Sequence, residues 1–154
     1  MTRPTFHRAE IRNVTFGNNV RVVEPVNLYD CSIGDDCFIG PFVEIQREVR
    51  IGARTKVQSH SFICELVTVG ADCFIGHGVV FINDTFSTGG PARGRRELWR
   101  PTEVHDNVSI GSNATIMPVS ICAGTVIGAG AVVTKPISIP GIYAGNPARI
   151  IRSR

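Results

Sequence analysis

The stretch Ile33-Gly-Asp-Asp-Cys-Phe-Ile39-Gly-Pro-Phe-Val-Glu-Ile45 sets a step of six residues that the rest of the chain continues. From Ile33 the step lands on Ile39, Ile45, Ile51, Val57, Ile63, Val69, Ile75 and Phe81, a run of large apolar residues without a break. Four residues after each comes Cys37, Val43, Val49, Thr55, Ser61, Val67, Cys73, Val79 or Thr85, all small or β-branched. Gly34, Gly40, Gly52, Gly70 and Gly76 follow the large residue directly. Self-similarity at a fixed short period is read before any helix or hairpin, because it defines a stacked architecture. Each six-residue unit is one short strand and a turn, with one large and one small side chain pointing inward and glycine easing the corner. Three such units close one triangular coil. A buried Ile or Val contributes about 1.5–3 kcal/mol, so stacking of the inward column holds the rod together.

Outward from this core the step continues with two slips. Upstream, Phe16 and Val22 keep it, and Leu28 to Ile33 is one residue short. Downstream, Val104, Ile110 and Ile116 resume it, Ile121 arrives one residue early, and Ile127 and Val133 complete it. Both slips are expected at coil corners. Between the arrays, residues 86–103 obey no period and contain Arg93, Arg95, Arg96, Arg100 and the single Trp99. An aperiodic insertion of this length in a regular domain reads as a functional excursion loop. Beyond the last coil, Asn146-Pro147 reads as a helix cap followed by proline at the first helical position, giving a short C-terminal helix over Ala148–Arg154.

The 154 residues, 43% of them hydrophobic, suffice for one buried core, so a single domain over 1–154 is expected. The net charge of +3 is smaller than the four loop arginines alone, which marks a local anion site and excludes a nucleic-acid footprint. No apolar run approaches the roughly 20 residues of a membrane span, and no leader pattern opens the chain; a soluble cytoplasmic protein is the expectation. The cysteines, Cys31, Cys37, Cys64, Cys73 and Cys122, are odd in number and lack C-x-x-C spacing, which fits free thiols filling small inward slots.

The repeat resembles the left-handed β-helix acyltransferases from about Phe16 to Arg149. Four stretches sharpen that likeness: Ile39-Gly-Pro-Phe-Val-Glu-Ile-Gln46, Gln58-Ser-His-Ser-Phe-Ile-Cys-Glu65, Ile75-Gly-His-Gly-Val-Val-Phe-Ile-Asn-Asp84 and Gly141-Ile-Tyr-Ala-Gly-Asn-Pro-Ala-Arg149. Together they look like the N-acetyltransferases that modify UDP- or dTDP-linked 3-amino sugars for surface polysaccharides. The resemblance implies an all-β left-handed parallel β-helix, a homotrimer, acetyl-CoA as acyl donor in a groove between subunits, a nucleotide-linked amino sugar as acceptor, and no metal. Handedness comes from the resemblance alone, since the general crossover rule favours the other hand.

Coil arithmetic then sketches a site. Residues 17 or 18 apart stack at about 4.8 Å, so Asp30, Arg47, Glu65 and Asn83 form one outward column ending beside Asp84 and the loop. Arg47 and Glu65 are candidate substrate contacts, or a self-compensating surface ladder. By resemblance, Asn83 orients the acceptor amine and Asp84 holds the amine or a sugar hydroxyl. Acyl transfer to an amine needs alignment and oxyanion donors, and no covalent intermediate. His77 and His60, 17 apart, are alternative proton acceptors or interface residues. The resemblance places pantetheine along Gly111, Gly128, Ala129 and Gly130, with Lys135 and Arg149 as cations near the nucleotide end of the donor, and the loop arginines facing the acceptor diphosphate. Rival readings are acetylation of serine, free sugars or antibiotics, a non-catalytic β-helix, and a γ-carbonic-anhydrase-like metal enzyme using His60, His77 and His105.

Overall fold

The computed structural model describes residues 4–153. Among them the chain forms 21 short strands, a single 3-10 turn at Arg96–Leu98, and no α-helix. The strands stack into three parallel sheets of seven, six and eight strands, the three faces of a prism. These are termed faces A, B and C in the order the chain visits them. All neighbouring strands run parallel except the last pair.

The six-residue step decides which side chain enters the core. On face A the inward column is Ile11, Leu28, Ile45, Ile63, Phe81, Ile116 and Val133. On face B it is Phe16, Ile33, Ile51, Val69, Val104, Ile121 and Ile137. On face C it is Val22, Ile39, Val57, Ile75, Ile110, Ile127 and Tyr143. From Leu28 to Val133 these columns are almost wholly buried. The small inward slots Thr55 and Ser61 satisfy their hydroxyls on the carbonyls of Gly70 and Gly76, at 2.9 and 2.8 Å. A polar atom in the core is thereby matched, as burial demands.

The irregularities in the step share one location. Every B-to-C and C-to-A passage is six residues long, for example Ile51 to Val57 and Val57 to Ile63. The A-to-B passage alone varies: five from Leu28 to Ile33, six from Ile63 to Val69, 23 from Phe81 to Val104, five from Ile116 to Ile121. Both slips therefore lie at corners, and at the same corner as the loop. The ladder is undisturbed across the insertion, with Val69 paired to Val104 and the Gly70 amide donating to the Val104 carbonyl at 2.7 Å. Ile82 to Pro101 contains no strand.

The expected C-terminal helix is not formed. Instead Arg149–Ser153 runs antiparallel to Gly141–Ala144, which itself extends face C beyond Ile127. Gly145, at φ +93°, turns the chain back, a conformation natural to glycine. The β-branched pair Ile150-Ile151 then favours a strand, and the open edge of face C offers it a row of unpaired amides and carbonyls. Arg154, the end of the expected helix, lies outside the described residues.

Two tests follow from the packing. A methyl at Gly52 would collide with the Gly70 carbonyl carbon and the Ala71 amide of the next coil, whereas one at Gly90, in the loop, meets nothing within 4 Å. Gly52→Ala should cost about 1–3 kcal/mol in urea titration, and Gly90→Ala should leave the midpoint unchanged. Burial pushes the Cys31 thiol up to about 11 and the Cys64 thiol to about 12, and raises Cys37 and Cys73. Only Cys122 is half-exposed. A thiol-exchange dye at pH 8 should titrate one cysteine promptly in the folded protein and five after denaturation, because thiolate is the reactive form.

Candidate active site at two borders of one face

Face A separates two lines of candidate residues. Its border with face B carries Asp30, Arg47, Glu65 and Asn83, each two residues past an inward residue of face A. The expected column is real. Arg47 lies 3.7 Å from Asp30, and the Asn83 side-chain amide donates to the Glu65 carbonyl at 3.2 Å. Lys135, two residues past Val133, continues the same border at the last coil.

The loop starts from this border and is bound to it at both ends. The Asp84 carboxylate accepts the Phe86 amide at 3.0 Å through one oxygen and the Ala92 amide at 2.7 Å through the other. The Asn83 carbonyl accepts the Arg100 amide at 2.9 Å, and the Thr102 amide reaches the Leu66 carbonyl at 3.1 Å. Between these roots, Arg96 reaches back over two coils. Its Nη2 hydrogen-bonds Glu48 Oε2 at 3.0 Å and lies 3.0 Å from Glu65 Oε2, the latter a charge contact with poor hydrogen-bond alignment. The Glu65 side chain is only 12% exposed, so the guanidinium compensates a carboxylate that water hardly reaches.

This geometry reassigns several residues. Glu65 anchors the loop through Arg96, and Asp84 braces the loop's backbone; both carboxylates are engaged within the chain. Arg95 and Arg100 direct guanidinium nitrogens at the carbonyls of Ala92, and of Glu97 and Trp99. Arg93 has no such partner among the described residues, which leaves it the loop cation most open to an anion. Burial, then the nearby Glu44 and Glu65 carboxylates, pushes the Tyr29 hydroxyl upward against the opposing pull of Arg12 and Arg47.

The border between faces C and A carries the histidines and the small residues. His77 and Ala129 lie two residues past the inward Ile75 and Ile127; Gly111 and Gly128 lie one past, and His60 and Gly130 three past. His60 and His77 share this border on adjacent coils but not a column, because the local coil is 18 residues. The residue below His77 is Ser59, whose Oγ meets His77 Nδ1 at 2.9 Å. Sequence reasoning missed Ser59, although stepping back 18 residues would have found it. His60, at φ +65°, packs its ring on Phe42 with centroids 4.8 Å apart. His105 lies elsewhere, on the border of faces B and C, against Ser120 at 3.3 Å and Glu103 at 3.8 Å. Among the described residues no three His, Cys, Asp or Glu gather as a metal site.

The amides of Gly111, Gly128 and Gly130 are not free for a ligand. They donate to the carbonyls of Ile127, Tyr143 and Ser112 at 2.7 to 2.9 Å. At Gly111 and Gly128 a methyl would strike the backbone or side chain of the next coil, so stacking requires glycine there; at Gly130 a methyl would meet open space, and that is where the border is bare. Lys135 and Arg149, from separate borders, do meet: both line a cavity of about 290 Å³ with Tyr143 and Ile150 at the C-terminal end.

Comparison with known proteins places this geometry. Residues 30–65 match the model of the bacterial transferase hexapeptide (six repeats), and residues 101–135 the model of the hexapeptide repeat of succinyl-transferase. The bifunctional protein GlmU of Heliobacterium modesticaldum is 34% identical over 140 residues, covering 79% of this chain and 28% of GlmU. The chain thus spans about a quarter of the length of such relatives. A hexapeptide-repeat acetyltransferase of Vibrio cholerae, complexed with acetyl coenzyme A, superposes with a TM-score of 0.65 at 27% identity, over 79% of this chain and 69% of that one. A mutant of AntD, an N-acyltransferase from Bacillus cereus in complex with dTDP and coenzyme A, gives 0.73 at 21% identity over 92% and 84%, a likeness of fold. No helix among the described residues is long and apolar enough to cross a membrane.

The Arg96 strap can be tested without a substrate. In Glu48→Gln/Glu65→Gln, every arginine of the loop is kept while its two anchors lose their charge. Trypsin should cut between Arg93 and Arg96 about fivefold faster or more, since cleavage follows local opening. An unchanged rate would mean that Asp84 and the backbone bonds at the loop's roots hold it without the strap.

Proposed function

Since this chain belongs to the hexapeptide-repeat transferases, we propose that it is an acetyl-CoA-dependent N-acetyltransferase acting on the amine of a nucleotide-linked amino sugar. The observation that carries the proposal is the division of candidate groups between the two borders of face A. One border has a run of small residues, Gly130, Ala129, Gly128 and Gly111, open at Gly130 and leading to His77 one coil away; the other has Asn83 at the root of an arginine-bearing loop. In a homotrimer with face A turned toward the threefold axis, the His77 border of one chain would meet the Asn83 border of the next. The outward side chains Phe62, Val80, Ile82, Met117 and Val132 give face A the apolar surface such a contact uses.

The donor's pantetheine would lie along this run of small residues, where Gly130 leaves room, with Lys135 and Arg149 at the cavity at the C-terminal end to meet its phosphates. The V. cholerae complex and the AntD complex support a CoA thioester as donor, and the dTDP bound to AntD supports a nucleotide-linked acceptor. The acceptor amine then attacks the thioester carbonyl carbon, a C–N bond forms, and the C–S bond breaks with the electron pair leaving on sulfur. The nitrogen gives up a proton. When His77 donates its Nδ1 hydrogen to Ser59, Nε2 is the free base that takes this proton and passes it to the thiolate. Asn83, whose amide nitrogen is held by Glu65, presents its oxygen to orient the amine.

Thiol release from acetyl-CoA against a panel of UDP- and dTDP-linked 3-amino sugars tests the reaction, with serine, free sugars and aminoglycosides as the competing acceptors. Turnover only with the competitors would overturn the acceptor assignment. Asn83→Ala should lower turnover by about tenfold or more, through lost alignment. His77→Gln, which keeps a partner for Ser59, should lower it by about 100-fold.

A further inference from the structure

The outer surface of face C carries an alternation that the reaction does not use. Immediately before each inward residue of this face come Arg21, Phe38, Lys56 and Phe74, paired strand to strand in that order. The result is a ladder of cation, ring, cation, ring at about 4.8 Å per step, about 14 Å in all. Arg21 and Lys56 are exposed, Phe38 is half-buried and Phe74 is 41% exposed. Arg12, Arg47, Arg54 and Arg96 each have a carboxylate within 4 Å, whereas Arg21 and Lys56 have none among the described residues. Two exposed cations thus flank an aromatic ring two strands apart, each free of an ion pair among the described residues and open to an anion.

A cavity of about 410 Å³ lies over the first three rungs, lined by Asn19, Arg21, Asp36, Cys37, Phe38, Lys56 and Gln58, and Phe74 stands beyond its edge, one strand past Lys56. It is asymmetric. Asp36, held by the Asn19 side-chain amide at 3.1 Å, stands at the border with face B. Gln58 stands toward the border with face A, two residues before His60. Lys56 and His60 leave the same strand, Lys56–Val57, and Phe74 and His77 leave Phe74–Ile75. Anything anchored on the ladder is therefore registered to the histidine border by a few residues of rigid backbone.

We propose that this ladder is the subsite for the nucleoside diphosphate of the acceptor. The flat base stacks on Phe38 or Phe74. The diphosphate lies between Arg21 and Lys56, repelled from Asp36, so that the attached sugar projects past Gln58 toward His60 and His77. The proposal rests on the acceptor being nucleotide-linked, and it gives that specificity to side chains outside the loop.

The test is calorimetric titration of the full-length protein with UDP and with dTDP, beside Arg21→Ala, Lys56→Ala and Phe74→Ala. Each cation variant should weaken binding of the better nucleotide by about tenfold, and Phe74→Ala by about threefold or more. Acetyl-CoA affinity and the circular-dichroism spectrum should stay as in the wild type, which shows the coils intact. Arg50→Ala, an exposed cation on face B, is the control for general charge and should change nothing. Nucleotide affinity unchanged in the three ladder variants, or absent in the wild type, would overturn the proposal. So would a single-stranded oligouridylate that binds far more tightly than UDP, which would make the ladder a nucleic-acid track. The two readings fail separately. If no nucleotide sugar is acetylated but the ladder variants lose UDP or dTDP, the reaction assignment falls and the subsite stands; if acetylation proceeds with an unaltered KM for the nucleotide sugar, the subsite falls alone.

Discussion

The controlling interaction is the hydrogen-bond ladder between successive coils. Each coil donates its amides to carbonyls of the next, as Gly34 does to Ile51, Gly52 to Val69 and Gly70 to Val104, at 2.7 to 2.8 Å. These bonds run along the rod, so the position of every strand is dictated by the strand below it. A coil that gained or lost a residue within a face would turn its inward side chain out, because successive residues of a strand point to opposite sides. The six-residue step is the sequence's answer to that constraint. Glycines such as Gly34, Gly52 and Gly70 then remove the collisions that stacking would otherwise produce at the corners.

The constraint also explains where function can be put. Two borders of the prism keep six residues per side in every coil. The border between faces A and B absorbs all length changes, and from it projects the loop that carries Arg96 and Asp84. An insertion there leaves the registers of all three sheets as they were, so polar chemistry can be added without disturbing the core. The opposite border of face A is used differently: regular in length, it carries small residues that let the coils stack closely at Gly111 and Gly128 and leaves open space at Gly130. One face thus separates a variable, charged edge from a constant one of small residues.

The fold was legible in the sequence because its determinant is periodic. Both slips, the position of the loop and the column from Asp30 to Asn83 follow from counting. Counting fails where the period stops. That Asp84 would turn inward onto the Phe86 and Ala92 amides, or that Arg96 would reach Glu48, depends on the path of an aperiodic segment. The terminal helix was misread for another reason: Asn146-Pro147 is a local cue for a helix start, while the unfilled edge of face C is a tertiary one, and the tertiary cue decided the outcome. His60 and His77 do share a side on adjacent coils, as their spacing of 17 implies, but they are offset by one residue because the A-to-B passage between them is six residues long.

A rod whose units touch only their neighbours comes apart from its tips, since a terminal coil is held on one side and an interior coil on both. His60, His77 and Asn83 belong to interior coils, whereas Lys135 and Arg149 belong to the last turn and the hairpin that follows it. Fraying would therefore loosen the tip that carries Lys135 and Arg149 well before the coils that carry His77 and Asn83, and amide exchange should be slowest in the middle of the prism. On the proposed reading, the molecule is stiffest where atoms must be aligned and softest where a long, flexible donor would enter and leave.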